Sequence, residues 1–374
     1  MSRRTLVVVG YGPVAHRLVT EVRALDRTDG WRIVVLGEEP RGAYDRVALS
    51  SLVSGLTPAD LALPAPDFLV DVRLSTTVTA VDRERRIVRC SDGTRHTYDA
   101  LVLATGSRPF VPPVPGHDLP HCFTYRTVED IDAIRAAARS GRPGRPGVVI
   151  GGGLLGLEAA DALRHLGLRP HVVEAAPRLM PLQVDTGGGR LLASLVRDLG
   201  VDVRCEAATV SVEEDGVRLA DGTEIEAGLV VFSAGIRPRD ELAAAAGLAT
   251  GERGGFVVDD RLRTDDERVW AVGECAAVEG RCHGLLAPGH RMAASVARQL
   301  LGLAHPPFTD TGQPTRLKLL GIGVSGFGDI HARTEGAIEF SEDDRAGGRY
   351  RKLVLSPDGR TLLGRVEVAT ASSP

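Results

Sequence analysis

The chain has no Cys-x-x-Cys pair. Its five cysteines, Cys90, Cys122, Cys205, Cys275 and Cys282, stand apart in the sequence and form no four-ligand cluster, which excludes an encoded zinc or iron–sulfur centre. Isolated cysteines of this kind read as small buried hydrophobes, with a Cys275–Cys282 pairing as the alternative. Long apolar runs are missing too, since Leu6 to Val9 and Val148 to Ile150 fall far short of a bilayer span. Nor is there an excess of base. A formal net charge of −4, with acids and bases interspersed, leaves no face for nucleic acid. The start, Met1-Ser2-Arg3-Arg4 and then a strand, lacks the extended apolar core of a signal peptide, and Arg3-Arg4 alone is too slight for a twin-arginine signal. The expectation is a cytoplasmic protein with no metal, no membrane and no nucleic-acid partner.

What the chain does have is length and patterned glycine. At 374 residues it exceeds what one hydrophobic core usually organises. The apolar strand Val7-Val8-Val9 runs into Gly10-Tyr11-Gly12-Pro13-Val14-Ala15, and Val148-Val149-Ile150 runs into Gly151-Gly152-Gly153-Leu154-Leu155-Gly156. In each, one glycine makes the tight turn and another leaves bare backbone beside a pyrophosphate at a helix N-terminus. The third small residue, Ala15 or Gly156, lets helix and strand pack closely. An acid then ends the next strand, Glu38 after Ile33-Val34-Val35-Leu36 and Glu174 after His171-Val172-Val173, where a carboxylate can accept both ribose hydroxyls. A single glycine motif is as easily an ordinary βα turn. Two complete strand–glycine–helix–strand–acid units predict two bound dinucleotides, the signature of a flavoprotein reductase.

Two further strands fix the order of the lobes. Ala100-Leu101-Val102-Leu103-Ala104-Thr105-Gly106-Ser107 ends in a small-residue turn, and Leu229-Val230-Val231-Phe232-Ser233-Ala234-Gly235-Ile236-Arg237-Pro238 repeats it after the second unit. Read as crossovers, they predict an α/β fold with two Rossmann-like nucleotide-binding domains. The first domain is expected to be discontinuous, about 1–112 with 236–308, and the second to be inserted at about 113–235. Trp270-Ala271-Val272-Gly273-Glu274 is a strand ending in a carboxylate, the pattern that grips a flavin's ribityl chain, with a surface-turn role for Glu274 as the alternative. The run 286–294 predicts a helix starting at Pro288, whose positive end would offset charge on a reduced flavin by roughly 1 kcal/mol; a surface helix is the alternative. Within it, His290 reads either as a proton relay or as a structural histidine. Beyond about 308, residues 316–320, 350–355 and 361–368 read as strands, with a hairpin turn at Ser356-Pro357-Asp358-Gly359, so 309–374 is expected to form a small C-terminal α+β sheet domain.

The segments 38–40 and 43–51, Gly151 to Glu158, Pro177-Arg178-Leu179-Met180, Gly273-Glu274-Cys275-Ala276 and Leu317-Lys318-Leu319-Leu320-Gly321 resemble the N-terminal reductase part of the NAD(P)H nitrite reductase large subunit. More broadly, the whole chain resembles the glutathione-reductase-like flavoproteins, including ferredoxin and rubredoxin reductases. The resemblance implies FAD in the first lobe and a nicotinamide dinucleotide in the second. It assigns Gly10, Gly12, Pro13, Val14 and Ala15 to the FAD pyrophosphate turn, Glu38 and its neighbour Glu39 to the adenosine side, and Arg46 to a phosphate or the adenine. Val78 would meet the adenine, and Ser50, Ala104, Thr105, Gly106 and Arg108 would line the cofactor. Gly273 and Glu274 would hold the ribityl chain and Pro288 the pyrimidine edge. For the nicotinamide coenzyme it assigns Gly151, Gly153, Leu154, Leu155, Gly156, Glu174, Arg178, Ala234 and Gly235. Ser51 stands where related ferredoxin reductases often carry a lysine beside the flavin, and the only lysines here are Lys318 and Lys352. Disulfide reductases of this architecture keep a cysteine pair shortly after the first unit; residues 38–54 have none, so electrons must leave the flavin directly.

The reaction so implied is hydride transfer from NADH to FAD, then electron transfer to an external acceptor: a ferredoxin, a rubredoxin or a siroheme/iron–sulfur module. Glu158 is assigned the orienting of the nicotinamide carboxamide, with a helix-surface glutamate as the alternative. Two other functions stay open, direct reduction of a quinone or nitro compound and a redox-signalling flavoprotein. Family members continue past the C-terminal sheet, and the nitrite-reducing centre is not in this sequence, so the chain reads either as a free-standing reductase or as a fragment of a longer polypeptide. Glu174 favours NADH over NADPH, since a 2′-phosphate would bring like charges together, whereas Arg178 pulls the other way. A monomer or a homodimer is expected.

Overall fold

A computed structural model describes residues 3–142, 144–309, 315–319 and 321–370. Six helices are present among them, α1 (Pro13–Leu25), α2 (Val128–Ser140), α3 (Leu154–His165), α4 (Thr186–Asp198), α5 (Leu242–Ala246) and α6 (Leu286–Leu300). The chain folds into two compact units. The first comprises Met1–Ala48, Thr57–Arg108 and Ile236–Asp310, and the second comprises Leu49–Leu56, Pro109–Gly235 and Thr311–Pro374.

The first unit is built on a five-stranded parallel sheet in the order Val269–Ala271, Ala100–Leu103, Arg4–Val9, Trp31–Leu36, Val70–Arg73. Near-continuous Val, Ile and Leu runs are what a parallel strand covered on both faces requires. Leu6, Val7, Val8, Leu101, Val102 and Leu103 are all fully buried. Helix α1 turns Ala15, Leu18, Val19 and Val22 into this core and packs against α6. The unit also holds an antiparallel three-stranded sheet, Val78–Asp82, Ile87–Cys90 and Arg95–Thr97, and a mixed one in which Phe256–Val258 runs parallel to Ala276–Val278 and Arg281–Cys282 antiparallel to it.

The second unit repeats the plan with Asp202–Arg204, Arg169–Val173, Pro146–Ile150, Val230–Phe232 and Cys122–Thr124, again parallel and in that order. Both small-residue turns expected after a crossover strand therefore follow strands that pair in parallel with a glycine-turn strand. Thr127 caps α2 in a reciprocal capping box with Asp130. A five-stranded antiparallel sheet, Thr315–Leu319, Ile322–Gly328, Leu362–Thr370, Arg349–Leu355 and Ile338–Asp344 in spatial order, belongs to the same unit and packs on α4.

Several boundaries move. The helix expected from Pro288 begins at Leu286, because the first-turn N–H groups are unpaired and Pro288, lacking one, costs nothing there. Val78, expected beside the adenine, is the first residue of the strand Val78–Asp82. In the C-terminal sheet Ile322–Gly328 and Ile338–Asp344 escape sequence reading, the one because glycine interrupts its alternation and the other because every residue in it is exposed. The 356–359 turn closes with Gly359 N–H donating to the Ser356 carbonyl at 2.8 Å. Leu320, the last residue of one expected strand, lies outside the described residues. All five cysteines are free thiols, so the Cys275–Cys282 alternative is not taken up. Among the described residues, no helix is long and apolar enough to cross a membrane and no His/Cys/Asp/Glu group is placed to hold a metal.

Candidate functional site: two glycine-lipped helix N-termini

In the first unit Gly10 adopts φ +97°, and a Cβ there would lie 2.3 Å from the Ala104 carbonyl oxygen. Only glycine fits that crossing of turn and strand. Gly12 caps α1 with extended backbone and no side-chain cap bond, and a Cβ on it would meet nothing within 4 Å. Pro13 follows as the first helical residue. The result is a helix N-terminus with unpaired donors facing open space, the physical requirement of an anion site. Ala15 is 1% exposed in the third small position. Val14 fills the gap between two other backbones: a Cβ on Gly289 of α6 would come within 2.6 Å of it, and one on Gly273 within 3.4 Å.

Around this turn the structure gathers a set of charged and polar groups. Glu38 forms an ion pair with Arg239, whose backbone N–H donates to the Gly106 carbonyl at 2.9 Å and whose carbonyl accepts from Thr105 Oγ1 at 2.5 Å. Sequence reasoning missed Arg239. The available signal was its place two residues after Arg237, at the end of the second small-residue turn. Glu39 is held by Arg46, and by the Tyr44 hydroxyl at 2.9 Å, while the Arg46 guanidinium stacks 4.8 Å above the Tyr44 ring. Glu274 Oε2 accepts from Ser107 Oγ at 2.9 Å and lies 3.9 Å from a Cβ built on Gly106, which keeps the carboxylate beside the Ala104-Thr105-Gly106 turn. Gly273, at φ +79°, donates to Met292 Sδ of α6. Pro288 is buried in the first turn of α6, and His290 is half-buried there; burial, with Arg17 and His16 adding, lowers its pKa.

Other expected residues sit elsewhere. Arg108 pairs with Glu241 at 3.4 Å, both well exposed. Val78 faces Cys90 in an antiparallel ladder. Ser50 and Ser51 lie in the short 3₁₀ turn Arg46–Leu52, and the stretch Leu49–Leu56 belongs to the second unit.

The second turn is tighter. Gly151, at φ +114°, would put a Cβ 2.3 Å from the Ser233 carbonyl oxygen and 3.0 Å from Ala234 Cα, and Gly235 follows at φ +113°. Gly153 caps α3 with extended backbone and open space above it, and Leu154 and Leu155 begin the helix. Gly156 would put a Cβ 1.9 Å from the Gly151 carbonyl oxygen. Glu174 is oriented by this turn: Oε2 accepts from Gly152 N–H at 2.6 Å and Oε1 from Ala176 N–H at 2.7 Å. Each carboxylate oxygen keeps a second lone pair for a ligand hydroxyl. Arg178 donates from Nε to the Val184 carbonyl at 3.1 Å. On α3, burial pushes the Glu158 carboxyl up from 4.5 to about 7. Burial, with the charge of Glu158 adding, raises the pKa of Tyr125, whose buried hydroxyl has no hydrogen-bond partner among the described residues.

Two Rossmann-type sheets, each with a bare helix N-terminus and an acid at the tip of the adjacent strand, define a dinucleotide-handling oxidoreductase. The chain belongs to the pyridine nucleotide-disulphide oxidoreductase family, whose model matches residues 4–299. It is 46% identical over 379 residues to the nitrite reductase [NAD(P)H] large subunit of Klebsiella oxytoca, covering 99% of this chain and 39% of that protein. The chain thus spans less than half the length of that relative. It is 31% identical over 308 residues to the rubredoxin-NAD(+) reductase of Alcanivorax borkumensis, with 79% of this chain and 78% of that one aligned. The ferredoxin reductase for the CYP199A2 system from Rhodopseudomonas palustris superposes with a TM-score of 0.86 at 28% identity, over 98% of this chain and 91% of that one. FAD and a nicotinamide dinucleotide are the cofactors this membership implies, and the residues fit them: both turns leave open the side on which a Cβ would otherwise intrude on a pyrophosphate.

Proposed function

We propose that this chain is a cytoplasmic NADH-dependent flavoprotein reductase that passes electrons to a separate acceptor, an iron–sulfur protein or a siroheme module. Residues 1–112 with 236–308 would bind FAD, residues 113–235 would bind NADH, and residues 309–374 would form the C-terminal sheet. One observation carries the reading: two separate sheets each present an uncapped helix N-terminus with a carboxylate, Glu38 or Glu174, at the neighbouring strand tip.

FAD, when bound, supplies the hydride acceptor and the site from which electrons leave. The chain's own residues bind and orient. Gly12 and the first-turn N–H groups of α1 would take the FAD pyrophosphate, Glu38 the adenosine ribose, and Glu274, braced by Ser107, the ribityl hydroxyls. Gly153 and α3 would take the coenzyme pyrophosphate, and Glu174 its ribose. With its carboxyl titrating near neutrality, Glu158 can donate to or accept from the nicotinamide carboxamide.

Steady-state turnover with NADH tests this reading when a one-electron dye and a series of iron–sulfur proteins serve as acceptors. Rapid reoxidation by the dye and by at least one iron–sulfur protein is expected. Slow reoxidation by every acceptor would instead indicate a signalling flavoprotein and overturn the proposal.

A further inference from the structure

Lys352 is the only lysine whose side chain is described, and it is 6% exposed. It points from the C-terminal strand Arg349–Leu355 toward α4, on the same face as Tyr350 and Val354. Its Nζ lies 3.6 Å from Asp185 Oδ2 and 2.6 Å from Glu339 Oε2. The Tyr350 hydroxyl donates to the same Asp185 Oδ2 at 2.7 Å. Asp185 is the N-cap of α4, and its Oδ1 accepts from Gly188 N–H at 3.1 Å.

Helix α4 needs that support. Its first turn is Thr186-Gly187-Gly188-Gly189, and each glycine in a helix costs up to about 1 kcal/mol against alanine. All three glycines are buried: a Cβ would fall 2.4 Å from the Tyr350 ring on Gly187 and 2.9 Å from the Arg178 stem on Gly189, and on Gly188 it would sit tightly, 3.3 Å from Val184, Val366 and Asp185 Oδ1. The helix therefore starts where capping and packing fix it rather than where propensity does.

From that cap a continuous set of bonds runs back to the second glycine turn. Val184 N–H and Gln183 N–H both donate to the Met180 carbonyl, Arg178 Nε donates to the Val184 carbonyl, and Met180 N–H donates to the Gly152 carbonyl at 2.9 Å. Gly152 N–H in turn donates to Glu174.

We propose that Tyr350 and Lys352 are positioning residues for the nicotinamide coenzyme: through Asp185 they hold residues 174–185 against the second glycine turn and so set coenzyme affinity. The C-terminal sheet thereby acts on the second glycine turn through the N-cap of α4. This rests on the reading of that turn as the coenzyme site.

The test uses flavin-loaded holoenzyme and compares Tyr350→Phe, Lys352→Met and Glu174→Ala for NADH KM, kcat with a one-electron dye, and flavin content. Loss of the hydroxyl bond in Tyr350→Phe should raise NADH KM about fivefold, and Lys352→Met should raise it about tenfold, with kcat and flavin content unchanged. A general loss of structure would instead lower kcat and flavin content together. If Lys352→Met does not fold, Tyr350→Phe decides alone. Should Tyr350→Phe stay within about twofold of wild type while Glu174→Ala raises KM, the coenzyme assignment stands and the positioning role is overturned. No change in Glu174→Ala would remove the coenzyme assignment, and the positioning role with it.

Discussion

The stem of Arg178 lies across Gly189, so closely that a Cβ on the glycine would fall 2.9 Å from both Cβ and Cδ of the arginine. With Nε bonded to the Val184 carbonyl, the side chain is committed to the loop that follows Glu174. This arrangement bears on coenzyme choice, because Arg178 is the basic residue nearest in sequence after Glu174.

Glu174 should therefore govern the pocket, and the protein should prefer NADH over NADPH by roughly tenfold to a few hundredfold in kcat/KM. Assaying both coenzymes on wild type and on Glu174→Ala checks this, and the gap should shrink in the variant. A wild type that favours NADPH would mean that Arg178 governs instead. Gly189→Ala, which must push Arg178 off its seat, should narrow the gap as well.

The purified protein should be yellow and release FAD, not FMN, because Glu38 and the Gly10–Gly12 turn form a site for an adenosine diphosphate, which FMN lacks. Chromatography of the released cofactor identifies it. Glu38→Ala should lower FAD occupancy more than NADH affinity, and it leaves Arg239 without its Glu38 partner. Equal loss of both would mean that the two lobes are assigned wrongly.

Glu158 makes stability depend on pH. Its carboxyl is raised to about 7 by burial, whereas in the unfolded chain it titrates near 4.5. Below 4.5 both states hold the proton and the group contributes no difference. Between 4.5 and 7 the unfolded state loses its proton first, so folding stability falls with rising pH, and above 7 the cost stays constant. Thermal melts of wild type and Glu158→Gln should diverge between about pH 5 and about pH 8, the variant being relatively more stable at the upper end by about 2 kcal/mol. Parallel melting curves across that range would refute the assignment.

The two turns should differ in tolerance. Gly156→Ala forces a methyl to within 1.9 Å of the Gly151 carbonyl oxygen, and NADH KM should rise more than about tenfold while FAD is retained. Ala15→Gly should cost only about 1 kcal/mol in α1 and leave FAD bound. Titrations of both cofactors against both variants decide the point.

Much of this was legible in the sequence, for physical reasons particular to each element. Val7-Val8-Val9 and Val148-Val149-Ile150 could be read as buried parallel strands because no polar residue interrupts them, and Gly10 and Gly151 because nothing with a Cβ fits where they sit. The Glu38–Arg239 pair joins residues from two of the three separate stretches of the first unit, and no local pattern reports it. Strand Ile338–Asp344 was equally silent, since a wholly exposed edge strand carries no hydrophobic alternation. The Lys352–Asp185–Tyr350 cluster hid for the opposite reason: a lysine in a sequence looks like surface, and only the packing on α4 reveals that it is not.

The interrupted first unit has a consequence for how the protein is born. Its parallel sheet needs Val269–Ala271 to cover the Ala100–Leu103 edge, whereas the sheet that begins later in the chain has its last strand by Phe232. On a ribosome the later sheet is finished first. Until synthesis passes residue 271, the N-terminal strands must wait with Leu101 to Leu103 exposed along one edge, so a pause or break in translation anywhere between 232 and 271 leaves the amino-terminal half as the part exposed to aggregation.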